Sequence, residues 1–334
     1  MVTVSAPGNL FLSEEHVCVY TRTAFVAAPD LRTSVTVEPA EGGVTVVSTS
    51  LGKAAKLPLP LTGFSGVSRA LVPSFMLVEK VARDFDLELS PLKLTIDSQI
   101  PVGSGLSSST ALLVAGYFAV AEFLGAEPWR LTAEEVYERI LPLQEHIHGK
   151  ASGMEIFSSH LGGFNLLRGG ELVSHYPSGE VACVVGDTGV GRSTKEVVAM
   201  VADWKEKHPE EAEELFSRIS RITVEQEGAV DRGDWQAVGE LMTENHRLLR
   251  RLGPRSRGRI GVSHPVLDHM VEAALRAGAY GAKLSGAGWG GVMFAICPPG
   301  RERAVALAVS RFGRVYPTKL GAEGVRNDPL NSKN

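Results

Sequence analysis

The stretch Ile100-Pro101-Val102-Gly103-Ser104-Gly105-Leu106-Ser107-Ser108-Ser109-Thr110-Ala111 constrains this chain more than any other, because two glycines and a run of hydroxyl residues lead straight into a strongly apolar helical run. Without a Cβ at Gly103 and Gly105, the main chain turns sharply and its N–H groups approach an anion closely. The spacing predicts a helix over 109–123, its positive dipole end aimed at whatever the loop holds. Ser107, Ser108 and Ser109 are placed either to cap that helix or to hold a metal. A strand over 92–96, with Leu92, Leu94 and Ile96 on one face, precedes the loop. Strand, glycine loop and helix in this order make a phosphate cradle. A plain capped helix start is the other reading, and a short glycine motif by itself does not separate the two.

Composition narrows the function classes. At 334 residues the chain has room for one large or two ordinary domains, and its 44% apolar and 22% charged residues are those of a globular protein. A net charge of −4, with no basic run interleaved with aromatics, argues against a nucleic-acid partner. No apolar run reaches membrane-spanning length, and the sequence opens on the strand-like Val2-Thr3-Val4 without a basic leader, so the expected compartment is the cytoplasm. Cys18, Cys183 and Cys297 are far apart with apolar neighbours, and are expected to be buried free thiols.

Along the chain, strand patterns fill residues 2–47, interrupted by the turn Ala6-Pro7-Gly8-Asn9 and the polar Glu14-Glu15-His16. A helix is expected within 67–85, with Pro73 at its start or at a kink, and another over 133–143 behind a Thr132/Glu135 capping box. His146 and His148 lie two apart in the polar segment that follows, and no further His or Cys completes a zinc site. Beyond residue 178 the composition shifts. A buried strand from Val181 is followed by helix through 196–252, broken at His208-Pro209 and at 231–234. A helix over 265–277 leads into Gly281-Ala282-Lys283-Leu284-Ser285-Gly286-Ala287-Gly288-Trp289-Gly290-Gly291, then a strand, a helix and a last strand near 314. The expected architecture is α+β in two domains, 1–178 and 179–334.

Three polar, glycine-bearing stretches are thus spread over the chain, and in this order they resemble the signature motifs of the GHMP kinases. Ser5-Ala6-Pro7-Gly8 with Glu15-His16 is similar to the first motif, Pro101 to Ser109 to the second and Gly281 to Gly291 to the third. His148-Gly149 with Ser152-Gly153, and Gly186 to Lys195, resemble the mevalonate-phosphorylating branch of the family. The resemblance covers residues 4 to 297. It implies an N-terminal domain like domain 2 of ribosomal protein S5, a ferredoxin-like C-terminal domain, and ATP with Mg²⁺ held in the cradle. It also implies phosphoryl transfer to the hydroxyl of a small alcohol, mevalonate to 5-phosphomevalonate, and pairing of two copies.

Carried over residue by residue, the resemblance gives Pro101, Gly103, Ser104, Gly105, Leu106, Ser107, Ser108, Ser109 and Gly286 to the nucleotide. Glu15, His16, Ser152, Gly153, Thr188 and Gly288 fall to the acceptor, and Ser108, Ser109, Gln144 and Glu145 to the metal. Glu155 takes the place of the catalytic Asp and Asn9 that of the lysine thought to tune it. These last positions depart from the family pattern. Asn9 stands for a lysine, Glu155 for an aspartate one methylene shorter, Gln144 for a metal-binding glutamate and Glu14 for a glycine. Two functions fit: a working kinase, on mevalonate or another small alcohol, with Glu155 and Glu145 in the two carboxylate roles, or a nucleotide-binding protein that has lost efficient transfer and serves a regulatory role.

Overall fold

Alternation of apolar and polar residues builds the first sheet, and helices lay their apolar faces on the sheets. The structure, a computed structural model, describes residues 1–329 apart from 102, 150, 178, 192, 257 and 258, with only the backbone of 148, 255, 256 and 259. The first half runs β1 (Val2–Pro7), β2 (Leu10–Ser13), α1 (Cys18–Thr21), β3 (Ala24–Ala27), β4 (Arg32–Pro39), β5 (Val44–Ser48), β6 (Lys53–Leu57), α2 (Val72–Asp84), β7 (Leu92–Ser98), α3 (Ser108–Phe123), α4 (Ala133–His148), α5 (Met154–Leu161), β8 (Phe164–Arg168) and β9 (Glu171–Tyr176). The second half runs β10 (Val181–Asp187), α6 (Thr194–Lys207), α7 (Pro209–Asp231), α8 (Trp235–Leu249), the short β11 (Arg255–Ser256) and β12 (Arg259–Ile260), α9 (Pro265–Arg276), β13 (Gly281–Ser285), β14 (Val292–Ile296), α10 (Glu302–Val309), β15 (Arg314–Leu320) and β16 (Arg326–Asn327).

A first sheet has the order β16-β1-β4-β7-β5-β6, antiparallel except where β5 meets β7. Its inward residues, among them Val35, Val37, Leu92, Leu94 and Ile96, pack on α2 and α3. Helix α3 is the spine of this layer: every residue from Thr110 to Ala121 except Leu112 is buried, which accounts for its lack of a polar face. A second sheet, β2-β3-β8-β9, shares a core with the second half: Leu10, Phe25 and Phe164 pack with Cys183, Val185 and Phe294. Its other face carries Met154 and Phe157 of α5.

The third sheet has the order β13-β14-β10-β15, wholly antiparallel, which is the strand order of a ferredoxin-like fold with α6 to α8 inserted between its first strand and its first helix, α9. The tail then leaves this unit. β16 pairs with β1, Val4 opposite Asn327, and the buried Arg32 guanidinium donates to the Glu323 and Gly324 carbonyls at 2.7 and 2.6 Å. The last residues of the second half therefore complete the first sheet. Residue 178, where the sequence shifts in composition, lies outside the described residues.

One helix meets expectation and one exceeds it. Helix α2 begins at Val72 with Pro73 in its first turn, where a missing N–H costs nothing. Helix α4 runs through Pro142 to His148, five residues past the expected end, because Leu143 and Gln144 are buried and packing outweighs the lost hydrogen bond. Cys183 and Cys297 are buried, Cys18 is half-buried and all three are free. No helix among the described residues is long and apolar enough to cross a membrane.

Candidate functional site

The turn between β1 and β2 stitches the other two glycine stretches together. Gly8 lies so close to the second that a Cβ there would stand 2.5 Å from the Leu106 carbonyl oxygen, and the Asn9 N–H donates to that same oxygen at 3.1 Å. Ser159 of α5 donates to the Pro7 carbonyl at 2.8 Å. Toward the third stretch, the Phe11 N–H donates to Ser285 Oγ at 3.0 Å and Lys283 Nζ donates to the Phe11 carbonyl at 3.1 Å. Stretches separated by about a hundred residues or more thus line one place.

The cradle is open at its bottom. Ser104 turns inward and shapes the loop, its hydroxyl donating to the Pro101 carbonyl at 2.8 Å and accepting from the Leu106 N–H, while Gly103 and Gly105 are exposed with positive φ. Ser107 is the residue ahead of α3 in a left-handed conformation, and no side chain caps the helix. Helices α2, α5, α7 and α10 are uncapped too, but only at α3 do the first-turn amides follow a glycine loop of this kind, a setting that suits an anion. The capping role open to the serines is thus not used by Ser107; Ser108 and Ser109 lie half-buried in the first turn. Val102 is outside the described residues.

Gln144 and Glu155 meet where α4 and α5 approach the start of α3. Glu155 stands in the first turn of α5, and Gln144 of α4 points its Nε2 at both Thr110 Oγ1 (2.8 Å) and Glu155 Oε2 (3.5 Å). Asn9 and Gln144 are both buried, and Asn9 Oδ1 and Gln144 Oε1 have no hydrogen-bond partner. Glu145 is exposed on α4. Gly153 lies against the Tyr137 ring, whose hydroxyl donates to the Ser152 carbonyl at 3.1 Å. Burial and the neighbouring Glu15, Glu155 and Glu14 carboxylates push the Cys18 thiol up to about 12, which marks all three as parts of one region.

Glu15 and His16 lace the first stretch to the third. Glu15 forms a fully buried ion pair with Lys283, whose ammonium also lies 5.6 Å from the Phe294 ring, and Asn245 of α8 reaches Glu15 Oε2 at 3.5 Å. Burial pushes the Glu15 carboxyl up and the Lys283 ammonium down, and each partner opposes the other's shift. Burial also lowers His16 to about 4, so its neutral ring donates from Nε2 to the Ala287 carbonyl at 2.9 Å. Gly286 and Gly288 flank that carbonyl. The Thr188 hydroxyl and N–H both donate to the Gly291 carbonyl at 2.9 Å, so Thr188 fixes the far end of the same loop.

Sequence reasoning passed over Thr110, Ser159, Thr223 and Asn245, and took Lys283 only as part of a pattern. One signal was present: a lysine inside the apolar Gly-Ala-Lys-Leu-Ser strand is buried, and a buried ammonium demands a carboxylate.

Glu14 is fully buried at φ 75°, a left-handed backbone that favours glycine. Its Oε1 accepts from Thr223 of α7 at 3.0 Å, its Oε2 has no partner, and burial raises its carboxyl to about 7. Between pH 4.5 and about 7, folded Glu14 therefore holds its proton while the unfolded chain has lost it. Its contribution to stability is fully present below pH 4.5 and falls as pH rises through about 7. Glu14→Gln removes that slope. Denaturation at pH 5 and pH 8 should show the variant gaining on the native protein at the higher pH by up to about 3 kcal/mol, and an equal pH dependence in both proteins would contradict this.

The surroundings suit Mg²⁺. Among the described residues no cluster of three His, Cys, Asp or Glu side chains stands ready for a metal. Magnesium, however, needs only one or two carboxylates beside phosphate oxygens and water, and Glu155, the unpartnered Gln144 Oε1 and the Ser108 and Ser109 hydroxyls are all hard oxygen donors.

Residues 75–163 match the family model described as GHMP kinases N terminal domain, and residues 227–315 the model described as GHMP kinases C terminal. The chain is 34% identical over 340 residues to a mevalonate kinase of Pyrococcus abyssi, covering 98% of this chain and 97% of the other. It is 31% identical over 326 residues to one of Aeropyrum pernix, covering 96% and 97%. In fold it is similar to the Methanococcus jannaschii mevalonate kinase, with a TM-score of 0.82 at 22% identity over 95% of this chain and 98% of that one. The L. major mevalonate kinase in complex with R-mevalonate superposes with a TM-score of 0.75 at 24% identity, covering 95% and 94%. With its glycine stretches interlaced around an uncapped helix and full-length relatives above 30% identity, the chain belongs to the mevalonate kinase family of the GHMP kinases.

Proposed function

We propose that this protein transfers the γ-phosphoryl group of ATP, with Mg²⁺, to the primary hydroxyl of mevalonate, giving 5-phosphomevalonate. The observation that carries the reading is the joining of an uncapped α3 N-terminus to a carboxylate: Thr110 in the first turns of α3, Gln144 and Glu155 form one hydrogen-bonded line. Phosphoryl transfer asks little covalent chemistry of a protein and much positioning and charge neutralisation. The loop from Pro101 to Leu106 and the amides of α3 hold the phosphates, and Gly286 and Gly288 close the opposite wall. Ser108 and Ser109 are the hydroxyls that would hold Mg²⁺ beside phosphate oxygens and water, and the bound ion would neutralise phosphate charge. Glu155 accepts the proton of the acceptor hydroxyl as the new O–P bond forms and the bond to ADP breaks. Asn9, buried with an unpartnered Oδ1, orients the acceptor without adding charge. Glu15 and His16 shape the acceptor wall by their ties to Lys283 and Ala287.

The relatives of full length carry the name mevalonate kinase, which supports the choice of acceptor. On this reading the protein is cytoplasmic and acts on a small-molecule alcohol, free of nucleic acid and membrane, with two copies paired. Coupled ADP release against a panel of alcohols tests it. Turnover should require mevalonate and a divalent cation. ATP binding without turnover on any alcohol would replace the kinase with a nucleotide-binding protein, and faster turnover on another alcohol would replace the acceptor.

A further inference from the structure

Gln144 is buried, 3% exposed, at the junction of three helices that carry the site. Its Nε2 has two acceptors, Thr110 Oγ1 on α3 at 2.8 Å and Glu155 Oε2 on α5 at 3.5 Å. The amide cannot be turned over without cost. In the reversed orientation Oε1 would face a carboxylate oxygen, two acceptors with no hydrogen between them, so the surroundings fix which end is nitrogen. The short bond to Thr110 anchors the amide on the helix that receives the phosphates. The longer one reaches the carboxylate that receives the proton, and hydrogen bonds at reacting groups commonly tighten once substrates are in place. A carboxylate at 144 would fill the same space but set a second negative charge beside Glu155.

We propose that Gln144 is a positioning residue that aims the Glu155 carboxylate, tying it through Thr110 to the phosphate-binding end of α3, so that acceptor and phosphate are held in register by one neutral amide. The inference rests on the role given to Glu155 above. Its content is that Gln144 Nε2 acts through Glu155 and not through the fold at large, and a misplacement of the order of 1 Å at a reacting group costs about 100-fold in rate.

A double-mutant cycle on kcat reads this directly. Gln144→Met keeps the length and loses the donor. It should lower kcat by about 10- to 100-fold with KM for ATP within about twofold, and in a Glu155→Gln background the same change should lower the remaining single-turnover rate by less than about twofold. An equal fall in both backgrounds, or no fall in the native one, overturns the proposal. If Gln144→Met does not fold, Thr110→Val, which removes the anchor from the other side, is carried through the same cycle: a fall confined to the native background supports the proposal, and an equal fall in both overturns it. The failure of the underlying reading looks different: there Glu155→Gln alone leaves kcat at the native value.

Discussion

Replacing Glu155 by glutamine is expected to lower kcat by about 10²- to 10⁴-fold, the range over which general base catalysis contributes, while nucleotide affinity stays close to native. Glutamine keeps the size of the side chain and its hydrogen bond to the surroundings, so the loss isolates the proton-accepting oxygen. Nucleotide affinity should be spared because the proposed phosphate cradle is the loop from Pro101 to Leu106 with α3, whereas Glu155 belongs to α5. Alanine at 155 should lose as much activity and, the residue being only half-buried, little stability. Steady-state kinetics with titration of a fluorescent ATP analogue separates the two effects. A Glu155→Gln enzyme within tenfold of the native kcat would remove Glu155 as the base.

Lys283→Met is expected to cost stability as well as activity, by about 3–5 kcal/mol, the usual loss when one partner of a buried pair is removed. Lys283 and Glu15 are both essentially inaccessible, and without the ammonium the Glu15 carboxyl must take up a proton or sit charged in an apolar core. The damage spreads because Lys283 also holds the Phe11 carbonyl, and the neighbouring His16–Ala287 bond closes the same seam. Glu15→Met combined with Lys283→Met removes both charges together and should recover most of the lost stability, since two apolar side chains of similar volume replace a buried pair at little net cost. Urea denaturation of the two single variants and the double variant forms the cycle. A double variant no more stable than the worse single variant would show that the pair contributes more than mutual neutralisation.

Local order was plain in the sequence wherever one strong period or one breaker decided it. Leu92, Leu94 and Ile96 alternate and lie inward on β7, and the apolar run after the serines is the buried α3. The helical block breaks at His208-Pro209 and again at 231–234, where the structure starts α7 and α8. Motif order led to the GHMP kinase fold, and the family comparisons agree. Helix α4 is longer than the sequence suggests because the polar, glycine-bearing segment after 143 reads as loop, and only the burial of Leu143 and Gln144 shows why the helix runs on.

Pairings across the chain were another matter. Lys283 and Glu15 are 268 residues apart, and nothing in either neighbourhood names the other. The return of β16 to the first sheet depends on the buried Arg32 donating to the Glu323 and Gly324 carbonyls, which no local pattern announces. Thr110 and Gln144 look like ordinary helix residues until α3 and α4 are laid side by side. The sequence by itself determined the cradle, the order of the three glycine stretches and the identity of the residues that depart from the family pattern. Tertiary structure alone decided that the first stretch would stitch the other two, that Glu15 and His16 would be used in that stitching, and that Gln144 would bridge Thr110 to Glu155. The physical reason is that periodicity and turn chemistry act over a few residues, whereas a buried charge or amide is satisfied by whatever polar atom the packing brings within about 3 Å.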